Sequence, residues 1–527
     1  MTASLWRADV LRELGNTNEW DVVVVGGGAT GLGAAVEAAS RGYRTLLLEA
    51  QDFAKATSSR STKLVHGGVR YLQQGDVKLV LEALRERGRM LRNAPHLAHR
   101  LGFIIPVYAL WEFPFYGVGL KVYDKLAGKE ALGHSRILSK MQVLAALPTA
   151  RQEGLQGGVL YYDGQFDDAR YAISLLRTLF DLGGLALNYA KVRGLLKRDG
   201  AICGVMVEDE ESGSRFECAA KVVINATGIF SDDLRRMDEP ETPKMLAVSQ
   251  GTHLVLPRAY LPGESALMIP RTSDGRVLFA IPWHGRVVVG TTDDPVPSPE
   301  YEPRALPDER RFLLQHIERF LGRRPEPHEI LSMWSGQRPL VSKTKLLNTS
   351  SISRDHTILI SGSNLVTITG GKWTTYRKMG QDVIDRAAAL AGLRTVASRT
   401  AGMRLHGATE QISSDWKQGD WKQVYGADLP LLENLVRENP EFDGYLHERL
   451  PFRRAEVAWA VRYEMARRVE DVLARRTRAL FLDARASMEA APVVARIMAA
   501  ELGRDAAWEL RQIAEFGEIA GQYQWNE

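Results

Sequence analysis

Residues 21–31 read Asp-Val-Val-Val-Val-Gly-Gly-Gly-Ala-Thr-Gly, and they are the most informative part of the sequence for its fold. The valine run is typical of a buried strand, and the glycines that follow match the pattern Gly-x-Gly-x-x-Gly. Residues 29–41 then predict a helix that Gly42 ends, and residues 44–49 predict a second strand. Strand, glycine turn, helix and strand together predict one βαβ unit.

The glycine turn is typical of a dinucleotide site. Gly26 allows the tight turn, Gly28 allows the backbone to approach a pyrophosphate, and Gly31 allows helix and strand to pack closely. The phosphates are expected at the helix N-terminus, and Glu49, 21 positions after Gly28, can accept hydrogen bonds from ribose hydroxyls. The motif does not separate NAD from FAD. Its place near the N-terminus, in a single obvious βαβ unit, favours FAD.

Two further clusters are compatible with FAD. Residues 56–71 are rich in serine and threonine, whose hydroxyls can donate to phosphate and to flavin carbonyls. Residues 225–228, Asn-Ala-Thr-Gly, follow a predicted buried strand and form a small-residue turn that can lie against adenosine. Either cluster by itself would be a routine polar loop.

Composition excludes several classes of protein. The chain has 527 residues, 45% of them hydrophobic and 25% charged, as in ordinary globular proteins. A net charge of +4 is too balanced for a general nucleic-acid binder. The two cysteines, Cys203 and Cys218, exclude a disulfide scaffold and a cysteine zinc site, and we expect both to be reduced. No metal site is predicted.

The remaining patterns predict a second sheet and a helical C-terminal part. A hairpin is expected over 201–224, and short strands broken by glycine and proline over 246–293 indicate an antiparallel sheet. After about residue 400 the apolar spacing becomes helical, including Val457 to Val472. The predicted fold class is α/β and α+β, with a Rossmann-like dinucleotide-binding domain, an antiparallel-sheet substrate domain and a separate all-α C-terminal domain. The predicted boundaries are 16–100, 155–240 and 355–395 for the first domain, 101–154 and 241–354 for the second, and 400–527 for the third.

Residues 103–120 are the best membrane candidate. They are rich in Trp, Tyr and Phe, with basic residues on both sides, but their prolines, glycines and Glu112 argue against a spanning helix. Aromatic rings with basic flanks suit a bilayer interface, and a hydrophobic lid over a pocket is an equal alternative. The first 20 residues contain no secretory signal pattern.

Blocks of sequence in a fixed order resemble the FAD-dependent glycerol-3-phosphate dehydrogenases, a branch of the D-amino-acid-oxidase-like flavoproteins. The resemblance covers about residues 20–390 and continues in Glu456–Phe481, which is similar to that family's helical cap. The blocks are 26–49, 58–72, 251–253, 281–283, 290–293, 335–340, 353–355 and 370–378.

The resemblance implies oxidation of sn-glycerol 3-phosphate to dihydroxyacetone phosphate, by hydride transfer from C2 to flavin N5. It implies a substrate pocket formed by Arg70, Tyr71, His253, Arg338, Arg354 and Lys372. Arginines suit a phosphate dianion, and we expect Arg338 and Arg354 to hold it, with Arg70 or Lys372 near the reacting oxygen. The expected catalytic residues are His253, Lys372 and Arg338, with His253 the first choice for the base and Lys372 the second. The expected cofactor-binding residues are Gly26, Gly28, Thr30, Gly31, Glu49, Thr57, Ser58, Ser59, Ser61, Lys63, His66, Gly67, Thr227, Gly228, Gly371, Lys372 and Thr374.

The sequence is compatible with three functions. The first is a dehydrogenase that passes electrons to a membrane quinone, placed peripherally or monotopically on the inner face of the cytoplasmic membrane. The second is an oxidase that forms hydrogen peroxide from the same substrate, and the third is a non-catalytic flavin-binding interaction module. The expected partners are sn-glycerol 3-phosphate, membrane quinone and the bilayer surface. No nucleic-acid partner is expected, and a homodimer is a further possibility. The basic pocket argues against the third function, and the aromatic segment favours quinone.

Overall fold

The computed structural model of this chain describes residues 3–68, 77–272, 275–341, 356–409 and 421–525. The strands are β1 Trp20–Val25, β2 Thr45–Leu48, β3 Leu64–Val65, β4 Ala98–Val107, β5 Arg136–Ser139, β6 Gly157–Phe166, β7 Leu185–Leu187, β8 Ala190–Arg198, β9 Ala201–Asp209, β10 Arg215–Asn225, β11 Leu246–Pro257, β12 Ala266–Ile269, β13 Leu278–Trp283, β14 Arg286–Gly290, β15 Asp294–Val296, β16 Ser332–Val341, β17 His356–Ile360 and β18 Val366–Gly370. The α-helices are α1 Ala3–Asn16, α2 Ala29–Ser40, α3 Val77–Asn93, α4 Glu112–Ala127, α5 Lys140–Ala146, α6 Asp168–Asp181, α7 Ser231–Asp238, α8 Pro307–Leu321, α9 Tyr376–Leu390, α10 Leu429–Glu438, α11 Ala455–Tyr463, α12 Ala479–Leu482, α13 Ala484–Leu502 and α14 Ala506–Gly521.

The first sheet confirms the predicted βαβ unit. Its strand order is β17-β18-β10-β1-β2-β7, and β18, β10, β1, β2 and β7 are parallel. The valines of β1 are buried because β10 and β2 pair with this strand on both sides and α2 packs against it in one hydrophobic core. The predicted hairpin is β9 with β10. Parallel strands that end at one edge of a sheet create a crevice there, which positions the candidate site.

The second sheet is the predicted antiparallel one. Its ten strands run β15-β11-β14-β13-β12-β4-β6-β3, with β16 paired to β11 and β5 paired to β6. All of these pairings are antiparallel except that of β12 with β4. The long pairing of β11 with β16 later places the candidate substrate residues on one face.

The C-terminal helices pack closely against the rest of the chain. Their apolar residues share one hydrophobic core with the second sheet, so that Phe481 packs edge-on against Trp334 at 5.2 Å between ring centroids. Buried ion pairs also join them to the first sheet: Arg476 donates to Asp52, and Arg170 forms a bidentate pair with Glu464 at 2.7 and 2.8 Å. The domain boundaries drawn from the sequence stay a prediction.

The helical spacing from Val457 to Val472 does not form one continuous helix. Helix α11 ends at Tyr463, and Met465 adopts a left-handed backbone with φ of 55°. Residues other than glycine rarely adopt this backbone conformation, so the surrounding packing must stabilise it at Met465. A π-helical turn, Asp471–Arg476, follows, and its two arginines are buried. The buried positions keep the helical spacing although the backbone breaks between them.

Residues 103–120 belong to two different elements, which corrects their treatment as one aromatic segment. Phe103 to Val107 are the buried end of β4, inside the second sheet. Residues 112–120 start α4, whose Tyr123 and Ala127 pack against Val80 and Leu84 of α3, while Leu120 joins the core of the second sheet. Within the described ranges, no helix is long and apolar enough to cross a membrane.

Candidate functional site

A deep cleft lies where β1, β2, β10 and β18 of the first sheet end. Its wall contains the glycine turn after β1, Glu49 after β2, the Thr227-Gly228 turn after β10 and the Gly370-Gly371 turn after β18. The predicted cofactor residues that line it are Gly26, Gly28, Thr30, Glu49, Thr57, Ser58, Thr227, Gly228, Gly371 and Lys372. Tyr301, stacked on Phe230 at 4.3 Å between centroids, adds an aromatic wall.

Gly26 is required by the shape of this cleft. Its φ is 111°, a conformation that residues with a side chain rarely adopt. A Cβ at this position would lie 2.5 Å from the carbonyl oxygen of Ala226, at the end of β10. At Gly31, a Cβ would collide with the carbonyl oxygen of Gly26, so this glycine packs under the turn and is not among the residues of the cleft wall.

Glu49 is held in place by backbone hydrogen bonds. Its carboxylate accepts from the backbone N–H of Gly27 at 2.6 Å and of Gln51 at 2.8 Å. Burial raises the pKa of Glu49, against the lowering effect of these two donors. Ser58 Oγ accepts from the backbone N–H of Ala29 at 2.9 Å, at the first residue of α2. A hydroxyl and a carboxylate thus meet at the helix N-terminus, where phosphates bind in such folds.

The hydroxyl-rich loop 57–63 contributes to the cleft at only one end. Thr57 and Ser58 line it, and Thr57 Oγ1 also donates to the carbonyl oxygen of Gln337 at 2.8 Å. The side chains of Ser61 and Lys63 instead hydrogen-bond to Asp168 at 2.7 and 2.8 Å. Ser59 is likewise buried away from the cleft wall.

Three other predicted cofactor residues lie outside the cleft wall. His66 is half-buried. The backbone N–H of Gly67 donates to the Tyr123 hydroxyl at 2.9 Å, and Thr374 is buried at the start of the segment leading into α9. Their contact with a cofactor stays a prediction.

The candidate substrate residues share one face of the second sheet. In the β11–β16 register, Ser249 lies opposite Arg338, and His253 lies opposite Trp334. Because alternate residues and directly opposed residues point to the same side, His253 and Arg338 lie on one face. Gly251 between them carries no side chain, and a Cβ there would collide with the Arg338 guanidinium.

The loop 57–63 crosses this same face. A Cβ at Gly336 would lie 2.7 Å from the carbonyl oxygen of Arg60, so the loop backbone lies directly on the sheet. Thr62 Oγ1 is 3.0 Å from His253 Nε2. The loop therefore contacts the dinucleotide cleft through Thr57 and Ser58 and the candidate base through Thr62.

His253 and Arg338 have different electrostatic surroundings. Burial, with the nearby cations of Lys63 and Arg338, holds the pKa of His253 well below its ordinary value, so the imidazole is neutral at neutral pH. Arg338 is half-buried, forms an ion pair with Asp293 at 3.3 Å and donates to Thr291 Oγ1 at 3.2 Å. Lys372 lines the cleft after the Gly370-Gly371 turn.

Arg70, Tyr71 and Arg354 lie outside the described residues. Their place in the substrate pocket is a prediction from sequence resemblance.

Sequence reasoning missed the residues that anchor the loop. Asp168 is fully buried and accepts from Ser61, from Lys63 and, at 3.1 Å, from Arg478 of the C-terminal part. In the sequence Asp168 looks like an ordinary acidic residue at a helix start, and Arg478 like one of many surface arginines. Burial lowers the pKa of the Lys63 ammonium to about 7, against the opposing effect of Asp168.

Comparison with known proteins gives the family. A family model described as FAD dependent oxidoreductase matches residues 21–377, and one described as C-terminal domain of alpha-glycerophosphate oxidase matches residues 366–509. The chain is 39% identical to a probable mitochondrial glycerol-3-phosphate dehydrogenase of Caenorhabditis elegans, over 96% of this chain and 74% of that protein. The chain belongs to the family of FAD-dependent glycerol-3-phosphate dehydrogenases.

Other relatives and a solved structure agree with this assignment. The mitochondrial glycerol-3-phosphate dehydrogenase of Homo sapiens is 39% identical over 94% of this chain and 72% of its own length. The crystal structure of glycerol-3-phosphate dehydrogenase from Bacillus halodurans, complexed with FAD, matches with a TM-score of 0.80 and 28% identity. That match covers 99% of this chain and 98% of the other. The predicted family, fold class and FAD cofactor are confirmed.

The cleft fits FAD on its own geometry. A Cβ at Gly28 would meet only the Ser58 hydroxyl and otherwise enter the open cleft, and the helix N-terminus beside Ser58 can face the pyrophosphate. Glu49 lies at the end of β2, where a carboxylate can hold ribose hydroxyls. We expect these residues to hold the adenosine diphosphate part of the cofactor.

We predict that Gly26→Ala prevents normal FAD retention. The alanine Cβ must enter the space beside the Ala226 carbonyl at an unfavourable φ, which we expect to weaken FAD binding by about tenfold or more. The ratio of flavin to protein absorbance in the purified variant measures this. Gly517→Ala, on α14 with open space around its Cα, is the matched control and should keep the parent ratio. A Gly26→Ala protein with full, tightly bound flavin would contradict the assignment.

Proposed function

We propose that this enzyme oxidises sn-glycerol 3-phosphate to dihydroxyacetone phosphate and passes the electrons to a membrane quinone. The observation that carries the proposal is the loop 57–63, which borders the dinucleotide cleft and also contacts the sheet face that holds His253 and Arg338. FAD, when bound, supplies the acceptor for the hydride that leaves C2. The residues of the chain must bind the phosphate, orient the C2 hydroxyl and remove its proton.

Arg338 is the proposed phosphate ligand. Its guanidinium is half-buried and has a planar set of donors that match phosphate oxygens. Asp293, at 3.3 Å, fixes the orientation of this guanidinium on the sheet face. Lys372, on the wall of the cleft, is a second described cation for the substrate. Arg70, Arg354 and Tyr71 complete the proposed pocket on sequence resemblance alone.

His253 is the proposed base for the C2 hydroxyl proton. A base must be unprotonated before the reaction, and burial beside two cations keeps this imidazole neutral. The Arg338 side chain lies over Gly251, two residues away on the same face, so one substrate could contact both groups. Lys372 remains the second choice for the base.

We predict that glycerol 3-phosphate bleaches the flavin absorbance of the anaerobic enzyme, while glycerol, which lacks the phosphate, does not. Arg338→Ala should keep its FAD but need a substrate concentration about tenfold or more higher for half-maximal bleaching. The loss of the cation also leaves the Asp293 carboxylate facing the phosphate.

The control for this experiment is Arg311→Ala, which removes an exposed arginine of α8 that pairs with Asp308 of the same helix. It should behave as the parent enzyme. Unchanged titration of Arg338→Ala would remove Arg338 from the pocket. Failure of glycerol 3-phosphate to bleach the parent flavin would contradict the proposed substrate.

An exposed apolar stripe on α4 supports the membrane quinone. Trp111 and Phe115 are 67% and 53% exposed, and Val118 and Val122 continue the stripe at helical spacing. Lys121 and Lys125 are exposed on the same helix, and Ile137 and Met141 extend the apolar surface onto the neighbouring elements. The opposite side of α4, with Leu120 and Tyr123, is buried, so the helix is fixed to the enzyme while the stripe faces outward.

This arrangement suits a peripheral or monotopic enzyme on the inner face of the cytoplasmic membrane. Aromatic rings can enter the acyl boundary while the lysines meet anionic headgroups. A quinone is dissolved in the bilayer, so an enzyme that reduces it must lie at the membrane surface. An oxidase that uses dissolved oxygen has no need of such a patch.

We predict that Trp111→Gln combined with Phe115→Gln reduces binding to liposomes that contain anionic lipid, and reduces quinone turnover with it. Turnover with a soluble dye should stay at the parent level, since neither residue lines the cleft. Leu510→Gln is the matched control: Leu510 is 71% exposed but lies on α14, in the C-terminal part. Rapid peroxide formation in air by the parent enzyme, with no stimulation by quinone or lipid, would decide for the oxidase.

A further inference from the structure

Among the described residues, one ring nitrogen of His253 has a hydrogen-bond partner and the other has none. Its Nε2 is 3.0 Å from Thr62 Oγ1. Its Nδ1 is buried and has no hydrogen-bond partner among the described residues. The ring is 1% exposed and stacks on Trp334 at 4.0 Å between centroids, so it has little freedom to turn.

Thr62 is itself held tightly, because the residues on both sides of it are anchored. The backbone N–H and hydroxyl of Ser61 donate to Asp168 at 3.0 and 2.7 Å, and Lys63 Nζ donates to Asp168 at 2.8 Å. Lys63 Nζ also donates to the carbonyl oxygen of Ser59 at 2.7 Å. These bonds therefore fix the loop backbone on both sides of Thr62, and the backbone limits the positions that the Thr62 hydroxyl can take.

A neutral imidazole carries one N–H and one lone pair, and a threonine hydroxyl can pair with either. Since Thr62 occupies Nε2, Nδ1 is the ring nitrogen that remains for a substrate hydroxyl. If His253 is the base, as proposed above, the lone pair must be on Nδ1 and the proton on Nε2. In that tautomer Nε2–H donates to Thr62 Oγ1.

We propose that Thr62 is a positioning residue for the reaction: its hydroxyl accepts the Nε2–H of His253 and thereby directs the Nδ1 lone pair to the C2 hydroxyl of the substrate. As the substrate O–H bond breaks, its proton forms the new Nδ1–H bond and His253 becomes an imidazolium. Thr62 Oγ1 then accepts from the more acidic Nε2–H, which stabilises the charged ring. The inference rests on the proposed role of His253.

The first test compares Thr62→Val with Thr62→Ser. Valine keeps the shape but removes the hydroxyl, and we expect kcat with a soluble dye to fall by about tenfold or more while KM and flavin content change little. Serine keeps the hydroxyl and should retain most of kcat. Parent kcat in Thr62→Val, or equal losses in both variants, would overturn the proposal.

The second test needs no turnover and uses the parent holoenzyme. Nitrogen-15 NMR of histidine-labelled protein distinguishes a protonated ring nitrogen from one with a lone pair, and His253→Gln identifies the signal by its loss. We expect protonated Nε2 and unprotonated Nδ1. The opposite tautomer would overturn the inference even if Thr62→Val failed to fold.

The two tests also separate this inference from the proposed function. Parent turnover in His253→Gln would show that His253 is not the base, which overturns both the role and the inference. An inactive His253→Gln variant together with a fully active Thr62→Val variant would overturn only the role of Thr62.

Discussion

The buried carboxylate of Asp168 holds the loop on which the rest of the site depends. It accepts from Ser61 and Lys63 in the loop and from Arg478 in the C-terminal part. The loop in turn borders the dinucleotide cleft at Ser58 and contacts His253 through Thr62. A buried carboxylate needs this many donors, because without them its desolvation would cost several kcal/mol. The same interaction therefore satisfies a buried charge and aligns the cofactor cleft with the substrate face.

The C-terminal part acts as a structural partner of the FAD-binding part. Arg475 and Arg476 both reach Asp52, just beyond the end of β2, and Arg475 also pairs with Glu470 at 2.6 Å and Asp471 at 2.8 Å. Lys55, on the wall of the dinucleotide cleft, pairs with Glu470 at 2.8 Å. Buried pairs of this kind are weak evidence for net stability, but removal of one partner leaves an uncompensated charge. They therefore fix how the C-terminal helices sit against the cofactor loops.

The local elements could be predicted because their signals are local. The valine run and glycine turn at residues 21–31 predict β1 and α2, and the short strands broken by glycine and proline after residue 246 predict an antiparallel sheet. The packing of the C-terminal helices against the rest of the chain could not be predicted, because a sequence does not distinguish a solvated arginine from a buried one such as Arg478. Its partner Asp168 lies 310 positions away in the chain. The break after Tyr463 was hidden because buried positions kept helical spacing across it.

The candidate site was predictable to different degrees. Sequence resemblance found His253 and Arg338, and the β11–β16 register explains why they share a face. It also gave Ser61 and Lys63 as cofactor ligands, whereas their side chains bind Asp168. A run of hydroxyls does not reveal which of its members face a ligand, since that depends on the turn of the loop. Thr62 was overlooked for the same reason.

We propose that one site binds FAD and removes the hydrogen from C2 of a phosphorylated alcohol. The most direct measurement is the rate of anaerobic flavin bleaching at saturating glycerol 3-phosphate, with deuterium placed either at C2 or at C1. We expect slower bleaching with deuterium at C2 and the ordinary rate with deuterium at C1. Slowing by deuterium at C1 alone, or no bleaching with either substrate, would contradict it.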